Sequence, residues 1–252
     1  MKDSEIRATK DGSSTVYSQR FQQHYHNPNG AVAESRHVFF DQFGVLEKMK
    51  SAKEIRILEV GFGTGLNFLL ALSYLRELHP EAVLFFESVE AFPLKPEEVP
   101  QLGYQHQLEN LPEAEEILTE VFCNLKPGMN SFQFGNAHLN IWQGTFDTWP
   151  ISLENADAVF HDPFSPEANP ELWTPEVFSK IAIKTAKNGV LTTYCAASKA
   201  RAAMAKAEWL VARAQGALGK REMTVASRNP ESLANFKRVN EQRLVQRFYD
   251  DE

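Results

Sequence analysis

The segment Leu58-Glu59-Val60-Gly61-Phe62-Gly63-Thr64-Gly65 decides the fold predicted for this chain. The apolar run Ile55 to Val60, which overlaps its start, is typical of a buried strand in a parallel sheet. An apolar-periodic helix, Leu66 to Leu78, follows the segment directly. Glycines between a strand and a helix allow positive φ and let the backbone approach a ligand closely. The segment therefore predicts a ligand-binding turn at the carboxyl edge of an open α/β sheet.

Strands and helices alternate along the rest of the chain. Further strands are predicted at Val83–Val89, His138–Trp142, Ala156–Phe160, Val190–Cys195 and Arg221–Ser227. Further helices are predicted at about Ala31–Lys50, Pro175–Lys187, 199–218 and 231–249. This alternation predicts an α/β protein with a doubly wound, mostly parallel sheet. We expect residues 1–50 to form an N-terminal extension packed on the core, beginning with a loose arm or an edge hairpin, and residues 51–252 to form one globular unit.

The composition is that of an ordinary globular protein, with 252 residues, 43% hydrophobic and 23% charged. No stretch approaches the ~18 consecutive apolar residues of a membrane span. The N-terminus lacks the apolar segment of a secretory signal. The two cysteines, Cys123 and Cys195, give neither a disulfide framework nor a metal-ligand spacing. We therefore expect a cytoplasmic protein with no membrane contact and no metal.

The formal net charge of -7 is unevenly distributed along the chain. Between Lys199 and Arg247 there are eleven Lys and Arg residues but only four Glu residues. Such an asymmetry indicates either a surface that faces a polyanion or a set of solvated helix faces. Taken alone, the charge pattern favours the solvated helix faces.

The glycine pattern separates two kinds of nucleotide-binding fold. A dinucleotide site needs G-x-G-x-x-G, but the position of the third glycine falls on Leu66 here. The observed E-x-G-x-G-x-G resembles motif I of the class I S-adenosylmethionine-dependent methyltransferases, so methyl transfer is favoured over hydride transfer. The alternative is a tight glycine turn in an unrelated α/β protein.

The resemblance to motif I implies a cofactor site for S-adenosyl-L-methionine. In that family the loop holds the methionyl part of the cofactor, and an acid at the end of the second strand accepts hydrogen bonds from both ribose hydroxyls. Glu90 occupies that place, while pleat alternation disfavours the competing candidate, Glu87. The residues expected to bind the cofactor are Glu59, Gly61, Phe62, Gly63, Gly65, Asn67, Glu90, Gly144, Thr145, Asp147 and Asp162.

A second motif, Asp162-Pro163-Phe164, follows the fourth strand and faces the same crevice. It resembles a shortened form of the Asp/Asn-Pro-Pro-aromatic motif of amino-methyltransferases. Methyl transfer needs a neutral acceptor nitrogen whose lone pair points at the methyl carbon. A carboxylate that accepts an N–H bond from this nitrogen can fix the direction of the lone pair. Asp162 is therefore the candidate catalytic residue, which could bind an ammonium, receive its proton or relay the proton to water. The alternative is a turn carboxylate at a strand end.

Longer strings carry a closer resemblance. They include Glu59-Val-Gly-Phe-Gly-Thr-Gly-Leu-Asn67-Phe68, Ser88-Val89-Glu90-Ala91-Phe92-Pro93-Leu94 and Asn169-Pro170-Glu171-Leu172-Trp173-Thr174-Pro175. Over about residues 25–225 the chain resembles the methyltransferase half of the bifunctional bacterial enzyme that completes 5-methylaminomethyl-2-thiouridine at the tRNA wobble position, and its free-standing relatives. The resemblance implies methylation of the primary amine of 5-aminomethyl-(2-thio)uridine, with tRNA as partner. It also implies that this chain carries no flavin oxidase domain.

Two departures from this family matter. Its members usually carry Asp after the third strand to hold the adenine amino group, and this chain has Thr145 there. Asp147 or backbone carbonyls are the candidate replacements. Pro163 stands where the bifunctional enzymes usually carry Gly, and it should stiffen the loop.

The resemblance also implies a nucleic-acid contact surface. A wobble uridine must leave the anticodon stack to reach the loop, and its flanking phosphates need cations. The candidate phosphate contacts are Lys199, Arg201, Lys220 and Arg221. Pro163 and Phe164 would contact the base, and Glu34 and Arg36 either shape the substrate pocket or form an ion pair within the N-terminal helix.

Two other functions stay open at this point. One is a methyltransferase or aminopropyltransferase of the same fold that acts on a small amine or on another nucleic acid. The other is a non-catalytic binding module. The sequence does not indicate an oligomeric state.

Overall fold

The computed structural model describes residues 4–249, in which helices cover both faces of a large mixed sheet. Its strands are β1 (Ser4–Ala8), β2 (Ser14–Ser18), β3 (Gln23–His24), β4 (Glu54–Val60), β5 (Val83–Glu90), β6 (Gly128–Phe134), β7 (Ala137–Gln143), β8 (Ala156–His161), β9 (Thr185–Thr193), β10 (Leu210–Gln215), β11 (Glu222–Ser227) and β12 (Lys237–Arg238). Its α-helices are α1 (Ala31–Ser35), α2 (Val45–Ser51), α3 (Leu66–Leu78), α4 (Ala114–Asn124), α5 (Pro175–Lys184), α6 (Ser198–Lys206) and α7 (Glu241–Tyr249). A π-helical segment, Arg36–Phe40, follows α1, and short 3-10 helices lie at Pro96–Gln101, Tyr104–His106, Pro170–Leu172 and Pro230–Leu233.

The large sheet has the strand order β12-β10-β11-β9-β8-β4-β5-β7-β6 within the described residues. Its central strands β9, β8, β4, β5 and β7 pair in parallel. Antiparallel strands extend it at both sides, β6 beside β7 and then β11, β10 and β12 beyond β9. The predicted α/β fold with a doubly wound, mostly parallel sheet is confirmed.

Both faces of the central strands are buried. In β4, Ile55 and Ile57 join the hydrophobic cluster that α3 and α4 cover, whereas Leu58 and Val60 join the cluster that α5 and α6 cover. All four side chains are at most 1% exposed. Burying each one contributes about 1.5–3 kcal/mol, so the apolar run of β4 holds the sheet and its following loop in place.

The loops at the carboxyl edge of the sheet are joined by backbone hydrogen bonds. The N–H groups of Gly61 and Phe62 donate to the carbonyl of Val89 at 3.2 and 3.1 Å. The N–H of Gly144 donates to the carbonyl of Glu90 at 3.0 Å, and that of Asp162 donates to the carbonyl of Val60 at 2.9 Å. The loops that follow β4, β5, β7 and β8 therefore form one connected surface.

The N-terminal segment lies against this edge. Of the two alternatives predicted for its beginning, a loose arm or an edge hairpin, the structure has a hairpin of β1 and β2, which pair antiparallel. With β3 this hairpin forms a separate three-stranded sheet rather than an edge of the large one. Val16 and Ala31 are fully buried in the hydrophobic cluster that also contains Phe160. The side-chain amide of Gln23 donates to Ser165 Oγ at 2.7 Å and accepts from the N–H of Ser165 at 3.2 Å, which ties the segment to the loop after β8.

Several predicted elements are wrong in extent. The helix expected over 31–50 is interrupted by the π-helical segment and by a turn at Gly44, where φ is +71°. The helix expected over 199–218 ends at Lys206, and Leu210–Gln215 is strand β10, because the sheet and the buried Val211 outweigh alanine's helix propensity. The helix expected over 231–249 is helical only at its two ends, and strand β6 has no counterpart among the predictions.

Candidate active site

A cavity of about 1030 Å³ opens at the carboxyl edge of the parallel strands. The glycine loop, the loops after β5, β7 and β8, and part of the N-terminal segment line it. The predicted site residues among its lining are Glu34, Gly61, Gly63, Glu90, Gly144, Thr145, Asp147, Asp162, Pro163, Phe164 and Lys220. The fold thus brings the two sequence motifs, which lie about a hundred residues apart, to one cavity.

Glycine is required in the first loop because two backbones approach each other there. Gly61 has φ +94°, and a Cβ on it would lie 2.8 Å from the carbonyl oxygen of Asp162. Gly63 has φ +55°, and its Cβ would lie 3.1 Å from the Tyr25 ring. Gly65, at the start of α3, also has positive φ, and its Cβ would meet Leu118. Phe62 is buried and packs beside Phe122, so its side chain supports the loop from below.

Glu90 is held rigidly at the rim of the cavity. One carboxylate oxygen accepts the N–H of Gly63 at 2.8 Å, and the other accepts the N–H of Phe92 at 2.7 Å. Burial raises the pKa of Glu90, and these backbone N–H groups oppose the rise. Each oxygen retains a second lone pair that can accept a hydroxyl donor.

Glu87, the competing acid, lies elsewhere. Its carboxylate accepts the indole N–H of Trp149 at 3.0 Å and the N–H groups of Ser152 and Leu153 at 2.8 Å. It is 1% exposed and does not line the cavity. Of the two acids considered from the sequence, Glu90 is the one at the cavity.

Glu59 and Asn67, both expected to bind the cofactor, lie beneath the cavity. The Asn67 amide donates to Glu59 Oε1 at 3.0 Å and to Asp162 Oδ2 at 3.1 Å, so it bridges the two acids. The hydroxyl of Ser88 donates to the other oxygen of Glu59 at 2.7 Å. Glu59 and Asn67 are only 1% and 3% exposed and do not line the cavity. They are connected to it through the hydrogen bond to Asp162.

The acids joined by this bridge have raised pKa values. Burial raises the pKa of Glu59 to about 8, against the hydrogen bonds from Ser88 and Asn67. Burial and then the charges of Glu59 and Glu34 raise the pKa of Asp162 well above its ordinary value. Asn67 and Lys220 act in the opposite direction. Perturbation of this kind by burial and specific charges is typical of catalytic carboxyl groups.

A second acid faces the cavity from the N-terminal segment. Glu34 Oε2 accepts the backbone N–H of Asn27 at 2.8 Å, and Glu34 Oε1 accepts Lys220 Nζ at 2.8 Å. Lys220 Nζ also lies 5.0 Å from the centre of the Tyr194 ring. The Tyr194 hydroxyl donates to the carbonyl of Pro163 at 2.8 Å, which links this group to the Asp-Pro-Phe loop.

Aromatic side chains close the cavity from the N-terminal side. Phe164 stacks on Phe21 with ring centres 4.5 Å apart, and Tyr25 meets it edge-on at 4.9 Å. Arg20 lies over the Phe92 ring at 3.9 Å, and Phe92 is 41% exposed. Phe164, which was expected to contact a base, is therefore already in contact with Phe21 and Tyr25.

The expected phosphate contacts divide into two groups. Lys199 and Arg221 are exposed, and Lys220 forms the ion pair with Glu34. Arg201 is only 4% exposed and donates to Thr224 Oγ1, to the carbonyl of Met223 and to a carboxylate. The structure does not support Arg201 as a phosphate contact, because its donors are used inside the protein.

The basic residues of the C-terminal stretch are less available for binding phosphate than their number suggests. Arg213 and Arg238 form ion pairs with Glu222 and Glu241, and Lys206 lies over a tyrosine ring. Arg36, expected near the substrate, is half-buried in the π-helical segment and does not line the cavity.

Sequence reasoning missed several residues at the site, and four of them contact predicted site residues. Phe21, Tyr25 and Asn27 lie in loops of the N-terminal segment, where no periodicity or motif marks them. Tyr194 follows β9 at the carboxyl edge, and its position at the end of a predicted strand is the one signal that could have identified it.

Among residues 4–249 there is no group of three or more His, Cys, Asp or Glu side chains that could hold a metal ion. In the same part of the chain no helix has the length and apolar character needed to cross a membrane.

His161, beside Asp162, is fully buried and lies edge-on to Trp173, with ring centres 4.6 Å apart. Burial lowers the pKa of His161 to about 3.

Comparison with known proteins gives consistent results. A family model described as S-adenosyl-L-methionine-dependent methyltransferase matches residues 109–229. The tRNA 5-methylaminomethyl-2-thiouridine biosynthesis bifunctional protein MnmC of Cupriavidus metallidurans is 34% identical over 217 residues, which is 84% of this chain and 32% of that protein. MnmC of Leptospira interrogans is 31% identical over 219 residues, covering 84% of this chain and 34% of that protein. The chain thus spans about a third of the length of these curated relatives.

Among solved structures, MnmC2 from Aquifex aeolicus superposes with a TM-score of 0.73 at 28% sequence identity. The match covers 96% of this chain and 80% of that one. The strand order, the glycine loop after β4 and the acid at the end of β5 define a class I methyltransferase. The chain belongs to the S-adenosyl-L-methionine-dependent methyltransferase family.

The residues around the cavity fit the cofactor of this family. Gly61 and Gly63 line the cavity and have no side chain, so a ligand can approach the loop's backbone there. The fixed carboxylate of Glu90 can accept two hydroxyl donors from a ribose. The volume of about 1030 Å³ lies at the upper end of the range for cofactor pockets.

Proposed function

We propose that this chain methylates the primary amine of 5-aminomethyl-(2-thio)uridine at the wobble position of tRNA. The names of the similar MnmC proteins support the substrate class. The observation that carries the proposal is Asp162, a carboxyl group bridged to a buried acid and facing the same cavity as the glycine loop. A tRNA partner supports a cytoplasmic location.

The cofactor would lie along the glycine loop. In this placement Gly61 and Gly63 hold the methionyl part, Glu90 accepts the ribose hydroxyls, and the loop after β7 holds the adenine. Asp147 would accept the adenine amino group in place of the usual acid. A hydrogen bond from the Thr145 hydroxyl lowers the pKa of Asp147, which keeps this exposed carboxyl group ionised as an acceptor.

Asp162 would prepare the acceptor amine. When bound, S-adenosylmethionine supplies an electrophilic methyl carbon attached to a sulfonium. An alkylammonium has an ordinary pKa of about 10, so a carboxylate with a raised pKa is a better proton acceptor than an ordinary one. Asp162 would take one proton from the ammonium, which would leave the nitrogen a free lone pair to accept the methyl group. The product keeps the positive charge as a secondary ammonium, and Asp162 returns its proton to water.

Mass spectrometry of nucleosides tests this function. Purified protein and cofactor with a deuterated methyl group are incubated with tRNA that carries 5-aminomethyl-2-thiouridine. We expect labelled 5-methylaminomethyl-2-thiouridine from the wild type and from Asp41→Asn, an exposed control, but not from Asp162→Asn. Label in putrescine added to a parallel reaction would favour a small-amine enzyme. Cofactor binding without label in any acceptor would indicate a binding module.

A further inference from the structure

One ion pair in the cavity joins a buried acid to a half-exposed base. The Glu34 side chain is 11% exposed and that of Lys220 is 43% exposed. Glu34 is fixed by the N–H of Asn27 at 2.8 Å, and the Asn27 side-chain amide lies 3.4 Å from its other oxygen. The acid is therefore part of the rigid wall, whereas the ammonium is delivered by a long side chain that reaches in from the surface.

The Lys220 ammonium lies in the cavity that the acceptor amine would have to enter to meet Asp162. It shares the main cavity with Asp162, and its charge lowers the pKa of that group. It also sits 5.0 Å from the centre of the Tyr194 ring, whose hydroxyl holds the Pro163 carbonyl. A carboxylate and an aromatic face together form a good site for an alkylammonium.

We propose that Glu34 and Tyr194 form the ammonium subsite of the acceptor, and that Lys220 occupies this subsite until the acceptor displaces it. The proposal rests on the proposed function, because it assigns the site of the substrate's amine. The lysine side chain and the aminomethyl group both end in a primary ammonium on a methylene carbon. The same contacts therefore fit either one.

A second cavity offers Lys220 a place to go. A cavity of about 600 Å³ lies beside the first, and Lys220 and Tyr194 line both. Arg221 lines the second cavity together with Lys220, so these two cations can attract a phosphate there. The cavity also contains Glu167 and Glu222, and Glu222 is paired with Arg201 and Arg213. Lys220 follows Gly219, which has φ +85°, in the turn between β10 and β11.

Partner exchange would make tRNA a better acceptor than its free nucleoside. When a tRNA phosphate enters the second cavity, Lys220 can pair with it, and the substrate's ammonium can pair with Glu34. The number of ion pairs is then conserved, and the buried acid is never left without a cation, which would cost several kcal/mol. A nucleoside has no phosphate and must compete with Lys220 directly.

Lys220→Met separates the two roles of Lys220, as competitor for the ammonium subsite and as phosphate contact. The substitution should improve activity on the free nucleoside and weaken activity on tRNA. With free 5-aminomethyl-2-thiouridine as acceptor, we expect kcat/KM to rise about 3- to 10-fold, because the competing ammonium is gone. With tRNA, we expect KM to rise about 3- to 10-fold. The slope of log KM against log salt concentration should also fall by the amount expected for about one phosphate contact. Lys187→Met, on an exposed lysine at the start of β9, should change neither acceptor.

Methylammonium tests the subsite without catalysis. We expect calorimetry to detect binding of methylammonium chloride, in the millimolar range, to Lys220→Met. The wild type and the double variant Glu34→Gln/Lys220→Met should not bind it, and the double variant also avoids a buried unpaired acid. Binding that persists in the double variant would overturn the proposal, as would an equal loss of activity with both acceptors in Lys220→Met. Methylammonium binding through Glu34 in a protein that methylates no tRNA would instead retain the subsite and reject the proposed function.

Discussion

Replacing Glu59 by Gln would remove a buried group that can ionise while keeping the shape of the side chain. Glu59 is 1% exposed, and it accepts hydrogen bonds from the Asn67 amide at 3.0 Å and the Ser88 hydroxyl at 2.7 Å. Burial raises the pKa of Glu59 to about 8, because both donors are neutral and offset only part of the effect of burial. Gln can keep the bond from Asn67, and its own amide can donate to Ser88.

The raised pKa makes the stability of the wild type depend on pH. Because the folded-state pKa of about 8 exceeds the ordinary value of 4.5, the folded protein binds more protons between these limits. Stability therefore falls as pH rises through this window. The rise from 4.5 to about 8 corresponds to a loss of at most about 5 kcal/mol, at about 1.4 kcal/mol for each pKa unit. Glu59→Gln should lack this loss and gain about 2–5 kcal/mol relative to the wild type between pH 5 and pH 9.

Urea denaturation at pH 5, 7 and 9, followed by circular dichroism, measures this difference. Glu87→Gln is a matched control with the opposite expected sign. Glu87 is equally buried, but it accepts three N–H donors, from Trp149, Ser152 and Leu153. An amide there would face an N–H group and cost about 1–3 kcal/mol at pH 7. If Glu59→Gln follows the wild type in parallel from pH 5 to pH 9, Glu59 is not held protonated and the reasoning is refuted.

The same substitution should alter catalysis through Asp162. The groups that face Asp162 are Glu59, Glu34, Lys220 and Tyr194, and the two acids raise its pKa. Because Glu59 ionises only above about pH 8, its replacement by Gln should lower the pKa of Asp162, and change the pH–rate profile, only in that range. A profile identical to that of the wild type up to pH 9 would show that the bridge through Asn67 does not couple the two groups.

The remaining predictions concern single positions. Asp162→Asn should reduce methyl transfer at least about 100-fold while calorimetry finds cofactor affinity within a factor of about three of the wild type. Glu90→Ala should weaken cofactor binding by about 1–3 kcal/mol, since charge-assisted hydrogen bonds are lost, and unchanged affinity would place the ribose elsewhere. Gly61→Ala should abolish measurable cofactor binding and lower the melting temperature, because its Cβ would lie 2.8 Å from a carbonyl oxygen. Arg201→Ala should destabilise the fold by about 3–5 kcal/mol in urea denaturation, yet the KM for tRNA of the folded fraction should not change.

The core of the fold could be predicted because its determinants are local. The apolar run before Gly61 and the periodic helix after Gly65 each carry their own pattern, and α3 is observed over Leu66–Leu78 as predicted. Strands β4, β5, β7 and β8 lie within one residue of their predicted bounds at each end. Buried parallel strands are apolar on both faces, so they stand out without knowledge of their neighbours.

The errors occur where distant contacts outweigh local preference. Residues 199–218 are rich in alanine, which favours a helix, but Leu210–Gln215 pairs with β11 along its whole length. Strand β6 alternates between half-buried and exposed positions at the edge of the sheet, and it contains Gly, Asn and Ser, which are weak strand formers. In both places the neighbouring strand, and not the segment's own composition, determines the structure.

The candidate site shows the same division. Gly61, Glu90 and Asp162 were identified from motifs, and they meet at one cavity. The partner of Lys220 is 186 residues away in sequence, so no spacing rule could reveal the ion pair with Glu34. Motif I likewise gives no sign that Glu59 would turn away from the cofactor cavity and reach Asp162 through an amide.

The charges around the cavity favour one class of acceptor. Glu34 is enclosed by the protein, and Lys220 is the cation with which it pairs. A ring nitrogen or an exocyclic amine of a nucleobase is neutral, so it could not replace Lys220 without leaving a buried carboxylate unpaired. A primary alkylammonium carries the missing charge, and in the proposed function it passes one proton to Asp162, whose pKa is raised by burial and then by the charges of Glu59 and Glu34. Recognition of the ammonium and removal of its proton would thus fall to different acids, Glu34 and Asp162, and an aliphatic nitrogen requires both, whereas a base nitrogen that is already neutral requires neither.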